Sequence, residues 1–153
     1  MPDTPSTGAA DAGLHLEATL DQLADGLVLI DREWRYTYLN RAAEQYMRLT
    51  SEQIVGRTLW ELFPDAATND FGEPMRRAMK ERTVTYVRAY HSALELWLET
   101  RIYPTADGIA VHLRDVSDIE RQQRELDDAV DRALRMTALL DISNEAFITE
   151  DLD

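Results

Sequence analysis

The chain has 153 residues, of which 44% are hydrophobic and 8% aromatic, which is enough for one globular domain with a real core and short appendages. It contains no cysteine, so a disulfide framework, a thiolate metal site and a thiol nucleophile are all excluded. The formal net charge of -13 argues against nucleic acid as a partner, because that binding depends on Lys and Arg neutralising phosphates.

The N-terminal residues 1–13 are rich in Pro, Thr, Ser, Gly and Ala and predict a flexible end. They lack the basic and apolar parts of a signal peptide, and no apolar run in the sequence reaches the ~18 residues needed to cross a bilayer. We therefore expect a soluble, cytoplasmic protein and no membrane contact by this chain.

A short amphipathic helix is predicted next, because Leu16, Leu20 and Leu23 recur at helical spacing. The stretch GLVLIDREWRYTYLN then has two apolar runs joined by a polar DRE turn. This pattern predicts a β-hairpin with Tyr36 and Tyr38 on the same face.

Several short helices are predicted after the hairpin. Asn40 can cap a helix through RAAEQYMRL, and TSEQIVG predicts another helix with a capping box between Thr50 and Gln53 that ends at Gly56. TLWELFP is a short apolar piece stopped by Pro64, and Pro74 suits the first turn of a helix through MRRAMKER.

The apolar period then changes to two. VTYVRAY, LELWLETRIYP and GIAVHLRD predict three strands, with ADG as the turn between the last two. Two strands, several short helices and three strands predict an α+β domain, built on a five-stranded antiparallel sheet with its helices gathered in the middle of the sequence.

The C-terminal part returns to a helical pattern and holds most of the excess acidity. A weak heptad seam runs along it, formed by Ile119, Gln122, Leu126, Ala129, Ala133, Met136 and Leu140. We predict a dimerising, coiled-coil-like helix over residues 117–141. A solvent-exposed single helix is the alternative, because one seam position holds glutamine and two hold alanine.

The chain also resembles itself at a shift of 120 residues. LDISNEAFITED at residues 140–151 aligns with LDQLADGLVLID at residues 20–31, with three identical positions. Chance explains so few identities, but the match falls where a second copy of the domain would begin. We therefore predict that residues 142–153 start a second, truncated domain in a longer protein with tandem domains.

Taken in order, the segments YLNRAAE, GRTLWELFP, WLETRIYPTADG and the D-V-S at residues 115–117 resemble a PAS domain, the sensory module of bacterial histidine kinases and related signalling proteins. The resemblance covers roughly residues 16–126. It divides the chain into a flexible N-terminus (1–13), a PAS sensory domain with its leading helix (14–116), a signalling helix (117–141) and the start of a second PAS domain (142–153).

The resemblance also implies that the sheet curls around an apolar pocket walled by the central helices. On the last two strands it turns six side chains inward: Leu98, Thr100, Ile102, Ile109, Val111 and Leu113. The alternate positions, including Glu99, Arg101 and Arg114, are too polar for a core and support that division. Further candidate walls are Tyr38, Met47, Phe63 and Met75, for which packed core is an equally good interpretation. The outward aromatic residues Trp97 and Tyr103 indicate that the leading helix or a partner subunit covers the outer face.

The strand VTYVRAY is compatible with two registers. In one, Tyr86, Arg88 and Tyr90 face the pocket, and the buried arginine predicts a ligand that bears a carboxylate. In the other, Val87 and Ala89 face inward and the arginine lies in solvent.

Two cofactor types of the family are disfavoured. A photoactive flavin needs an adduct-forming cysteine, and the haem type uses a histidine on the long helix, where FGEPMRRAMKER has none. His15, His91 and His112 fit surface histidines better than ligands. No carboxylate pair or Ser/His arrangement has catalytic spacing, so we expect no enzymatic activity in this domain and leave the cofactor unknown.

The junction DVSDIE joins the last strand to the helix without a spacer. Ser117 and Glu120 predict a capping box that fixes the start of the helix, and Asp115 is expected to pair with a basic group of the sheet. A shift of the strand would then move the first helical turn, so we predict that Asp115, Ser117 and Glu120 couple the domain to the helix.

The predicted function is a sensory domain that binds a small molecule and regulates a catalytic output module, a histidine kinase, elsewhere in the full-length protein. The alternative is a PAS domain without a ligand that serves dimerisation and signal relay. In both readings we expect a homodimer through the N-terminal and C-terminal helices. A small enzyme of similar architecture would need an acid/base residue inside the cavity, and the sequence shows none.

Overall fold

The computed structural model describes residues 24–150, with side chains through residue 143. The strands are β1 (Gly26–Asp31), β2 (Tyr36–Leu39), β3 (Thr85–His91), β4 (Leu96–Pro104) and β5 (Gly108–Asp115). Between β2 and β3 lie α1 (Arg41–Met47), α2 (Ser51–Ile54), α3 (Leu59–Leu62), a 3-10 helix (Pro64–Ala67) and α4 (Gly72–Glu81), and α5 (Ser117–Glu150) follows β5. The predicted flexible end and the helix of Leu16, Leu20 and Leu23 lie outside the described residues.

The five strands form one antiparallel sheet in the order β2-β1-β5-β4-β3. The first strand of the chain therefore pairs with the last, which brings the two ends of the domain together. The α+β class, the five-stranded antiparallel sheet and the central position of the helices are confirmed.

One face of the sheet forms the core. Leu98, Thr100 and Ile102 on β4 are at most 1% exposed. Thr100 pairs with Leu113 and Ile102 with Val111 on β5, and Leu98 pairs with Asp115 at the end of that strand. Ile109, Val111 and Leu113 on β5 are likewise buried. The predicted inward and outward faces of these two strands are confirmed.

The β1–β2 hairpin differs from the prediction at its tyrosines. Tyr36 pairs with Ile30 and is buried, but Tyr38 pairs with Leu29 because the register shifts by one residue between these pairs. Such a bulge reverses the alternation of side chains along the strand. The prediction that both tyrosines share one face is therefore wrong, and Tyr38 lies on the side away from the core.

The start of α1 is fixed by Asn40, whose side chain is completely buried. Its Oδ1 accepts hydrogen bonds from the backbone N–H groups of Leu27 (2.9 Å) and Ala43 (3.0 Å), and its Nδ2 donates to the carbonyl oxygen of Asp25 (2.9 Å). The predicted cap is confirmed, and the same side chain also ties α1 to the first strand.

The other predicted helix ends agree with small differences. The Thr50 N–H donates to Gln53 Oε1 at 2.9 Å in the predicted capping box, and Gly56 follows α2 with a left-handed φ of 89°. Pro74 lies in the first turn of α4, which begins two residues earlier, at Gly72. At the start of β5 the chain passes so close to β1 that a Cβ on Gly108 would lie 2.0 Å from the Ile30 carbonyl oxygen, so only glycine fits there.

The helix α5 is a separate unit. Its apolar side chains are exposed in the described part, including Ile119 (45%), Leu126 (58%) and Leu140 (59%) of the predicted seam. The helix continues beyond its predicted end at residue 141, and a second domain from residue 142 stays a prediction. Within the described residues no helix is both long enough and apolar enough to span a membrane.

Candidate functional site

A small cavity lies in the core between the sheet and the central helices. It encloses about 40 Å³. Among the described elements, its walls come from the five strands, α1, α3, the 3-10 helix and α4, together with residues of the loops beside them. The lining is almost entirely apolar.

Seven of the twelve predicted pocket residues line this cavity: Met47, Phe63, Met75, Leu98, Thr100, Val111 and Leu113. Ile102 is fully buried on the same face of β4 but lies outside the lining. The sequence pattern therefore located the cavity correctly on β4 and β5, where most of the outward residues are polar.

The other four predicted pocket residues lie on the outer face of the sheet. Thr85, Val87 and Ala89 pair with the inward residues of β4, so Tyr86, Arg88 and Tyr90 point the other way, and Tyr38 is displaced by the bulge in the hairpin. Arg88 Nη1 lies 3.7 Å from Glu99 Oε2, on the neighbouring strand. Placing these four residues in the cavity is wrong, and the expectation of a carboxylate ligand loses the inward arginine on which it depended.

Thr100 is one of three residues with polar side chains in the wall of the cavity, together with Tyr36 and His91. The Thr100 side chain is 1% exposed, and among the described residues Oγ1 has no hydrogen-bond partner. Its cross-strand neighbours, Val87 on β3 and Leu113 on β5, are both apolar. A buried hydroxyl without a partner costs about 1–3 kcal/mol of stability. A molecule in the cavity could form the missing hydrogen bond with Thr100 Oγ1.

His91 also lines the cavity, although its sequence position suggested a surface histidine. Its ring lies 5.0 Å from the ring of Phe71 and 5.4 Å from that of Phe63, and Nδ1 accepts the Leu94 N–H at 3.3 Å. Burial lowers the pKa of His91 below its usual value. The ring is therefore neutral at pH 7, with its proton on Nε2. His91 lies on the same face of β3 as Val87 and Ala89, so the register that turns those two residues inward also predicts an inward His91.

Tyr36 is a second lining residue that the sequence pattern did not predict for the pocket. It is 2% exposed, and burial raises the pKa of its hydroxyl far above the usual value. Its inward position depends on the bulge in β2, which the alternation of residues did not reveal.

The outer face of the sheet carries charged and aromatic side chains. His112 Nε2 lies 3.0 Å from Asp25 Oδ2, and Tyr90 packs against Trp97 with ring centroids 5.9 Å apart. Tyr103 is 39% exposed. The predicted cover by the leading helix lies outside the described residues.

At the end of β5 the chain is held by two contacts within the domain. Val116 is 1% exposed and its N–H donates to the Trp97 carbonyl oxygen at 2.9 Å. The Tyr46 hydroxyl donates to the Ala24 carbonyl oxygen at 2.9 Å and is also hydrogen-bonded by the Asp115 backbone. Burial raises the pKa of Tyr46, and the backbone bond from Asp115 opposes that rise. The capping box of Ser117 and Glu120 and a basic partner for Asp115 stay predictions.

A metal centre has no support in the part of the chain that the structure describes. No three His, Asp or Glu side chains there are grouped closely enough to hold an ion.

The candidate site is a nearly apolar cavity whose wall includes the unpaired hydroxyl of Thr100 and the neutral imidazole of His91.

Comparison with known proteins agrees with this architecture. The family model described as the PAS fold matches residues 20–121. An RNA-binding light-oxygen-voltage receptor superposes with a TM-score of 0.61 at 15% identity, over 88% of this chain and 42% of its own. A PAS domain from Colwellia psychrerythraea gives 0.57 at 18% identity (71% and 99% covered), and a sensory box sensor histidine kinase from Vibrio cholerae gives 0.51 at 18% (71% and 94%).

These structural similarities establish a shared fold. The chain spans less than half the length of the light-oxygen-voltage receptor. No curated protein matches the sequence.

Proposed function

The chain belongs to the PAS family, whose members are sensory modules rather than catalytic ones, and from this premise we propose that it senses a small molecule and regulates an output module elsewhere in a longer protein. We propose a histidine kinase as that module. The observation that carries the proposal is the position of β5, which lines the cavity and also leads directly into α5.

The inward residues of β5 contact the cavity, and the strand ends only a few residues further on. Val111 and Leu113 are part of the cavity wall, and Asp115 is the last residue of the strand. A change in what the cavity holds must therefore be accommodated by β5, because protein interiors are close-packed and transmit strain.

The residue between β5 and α5 is suited to pass on such a change. Val116 is buried and hydrogen-bonded to β4 at Trp97, and α5 begins at the next residue. A flexible linker would absorb a displacement of the strand, whereas an anchored residue does not.

We also propose that α5 acts in a homodimer. Four of its exposed apolar side chains, Ile119, Leu126, Met136 and Leu140, lie on the heptad seam, and a second copy of the helix would bury them. Pairing through the N-terminal segment remains part of the proposal.

A second candidate is a PAS domain that relays signals and dimerises without any ligand. The size of the cavity favours it, since about 40 Å³ is far below the roughly 300–1,000 Å³ of pockets for drug-sized ligands. The two candidates agree on the route through β5 and differ in whether a molecule starts the signal.

The route through β5 can be tested without any ligand. We expect Val111→Leu, which enlarges a cavity-lining side chain, to change the backbone amide NMR shifts of residues 117–123. Ala110→Val enlarges the neighbouring outward residue on the same strand and serves as the matched control. If Val111→Leu leaves the α5 amides where they are in the parent chain, the proposed route is wrong.

A further inference from the structure

The cavity contains a specific recognition feature at Thr100. Its hydroxyl is buried on β4, between apolar neighbours on β3 and β5, and no described residue pairs with Oγ1. Because the cross-strand neighbours Val87 and Leu113 offer no polar side-chain atom, a molecule in the cavity could supply the missing partner.

The charge of the lining limits what that partner can be. None of the described lining residues is Asp, Glu, Lys or Arg. Of the two titratable ones, Tyr36 is buried and His91 is half-buried against the rings of Phe63 and Phe71. An ion would lose its hydration here without gaining an opposite charge. The lining therefore favours an uncharged occupant over an ion.

The dimensions limit its size and the number of its polar groups. A cavity of about 40 Å³ has room for about one to three waters, or for a molecule of about two to four non-hydrogen atoms. His91 is displaced from Thr100 by four residues along the paired strands, or about 13 Å. A molecule of this size cannot reach both side chains, so it needs only one hydrogen-bonding group.

We propose that Thr100 is the specificity-determining residue of a ligand site that takes a compact, uncharged molecule with an apolar body and one hydrogen-bonding group, such as a short alcohol, amide or nitrile. The flexible side chains of Met47 and Met75 allow the site to adapt to slightly larger members of this class. This inference rests on the proposed sensory function and replaces an anionic ligand with a neutral one.

Three probes of matched size test the class: ethanol, acetate and ethylammonium. Each is titrated into the full chain while the methyl NMR signals of Thr100, Val111 and Leu113 are recorded. We expect saturable shifts with ethanol and none with the two ions. Saturation by either ion at an affinity equal to that of ethanol would overturn the proposal, and so would the absence of saturation with all three, which would leave the cavity to water.

Variants of Thr100 test the residue. Thr100→Val keeps the shape and removes the hydroxyl, so we expect ethanol affinity to fall about threefold to tenfold while the protein still folds. Thr100→Ser keeps the hydroxyl and should retain the affinity. Thr37→Val, which removes an exposed hydroxyl on β2, is the control and should bind like the parent. Unchanged ethanol affinity in Thr100→Val contradicts the role of the hydroxyl.

The ethanol titrations and the Val111→Leu test of the route through β5 give independent results, because the Val111→Leu test uses no ligand. If Val111→Leu moves the α5 amides but ethanol does not bind, this inference fails and the proposed route stands. If ethanol binds at Thr100 but Val111→Leu leaves α5 unchanged, the ligand site stands and the route fails.

Discussion

The hydroxyl of Tyr46 donates a hydrogen bond to the carbonyl oxygen of Ala24, at 2.9 Å. The same hydroxyl is hydrogen-bonded by the backbone of Asp115, at the end of β5. One side chain of α1 therefore joins the segment that enters the domain to the segment that leaves it. Its neighbour Met47 lines the cavity, so α1 provides a second connection between the cavity and the end of β5.

Removing the Tyr46 hydroxyl should increase the local mobility of the end of β5 and reduce the stability of the whole domain only slightly. We expect Tyr46→Phe to lower the free energy of unfolding by about 1 kcal/mol, the usual contribution of a hydrogen bond. Hydrogen exchange at the amides of residues 113–116 should become faster. Tyr103→Phe, at an exposed position on β4, is the control, and equal exchange in the two variants would show that Tyr46 does not hold the strand end.

Asn40 should matter more to stability than any exposed helix cap. Asn40→Ala removes three hydrogen bonds from a completely buried side chain and leaves their partners unsatisfied, so we expect a loss of about 3 kcal/mol or more in urea unfolding. Thr58→Ala removes a single cap bond, to the Glu61 N–H, and should cost about 1 kcal/mol. Similar losses in the two variants would contradict the role of Asn40 as a tie between α1 and β1.

His91 should make the domain less stable in mild acid. Its pKa is lowered in the folded state by burial, so between that lowered value and the usual 6.5 the unfolded chain binds the proton more readily. The contribution of the neutral ring is fully present above pH 6.5 and is lost as the pH falls through the folded-state pKa.

The measurement is the free energy of unfolding of the parent chain and of His91→Asn at pH 7.5, 6.5 and 5.5. The parent should lose more stability than the variant over this range, because only the parent has the His91 ring to protonate. The carboxylates that titrate in the same range are present in both chains, so their effect cancels in the comparison. Parallel curves would mean that His91 contributes nothing to the acid sensitivity.

Helix pairing through the heptad seam predicts a difference between two exposed leucines. Leu126 lies on the seam, whereas Leu134 is equally exposed but off it (58% and 64%). Leu126→Asp should shift the chain from dimer to monomer in analytical ultracentrifugation, and Leu134→Asp should have little effect. A monomeric parent chain, or equal effects of the two changes, would refute pairing through this seam.

The sequence predicted the two strands with clear alternation and failed where a local feature broke it. On β4 and β5 every inward residue is apolar or threonine and most outward ones are polar, so the buried face was evident. On β3 both faces mix apolar and polar residues, and only pairing with β4 decides that Ala89 faces in and Arg88 faces out. The bulge that separates Tyr36 from Tyr38 leaves no mark in the alternation.

The position of the candidate site could be predicted from the sequence more accurately than its chemical properties. The apolar residues of β4 and β5 placed the cavity, and the family resemblance supplied the helices that close it. The missing hydrogen-bond partner of Thr100 and the aromatic contacts of His91 depend on side chains that the fold brings together from separate elements. The spacing of residues along the chain does not predict such contacts. The same limit applied to Arg88, whose partner Glu99 lies on the adjacent strand.

The most direct test of the central claim combines the cavity change with an interruption of the junction. Val111→Leu is introduced into the parent chain and into a chain with two glycines inserted between Val116 and Ser117, and hydrogen exchange is measured at the amides of residues 117–123. We expect the substitution to alter exchange in the parent and to have no effect on α5 in the chain with the insert. The same change in both chains, or no change in the parent, would contradict transmission from the cavity through β5 to the helix.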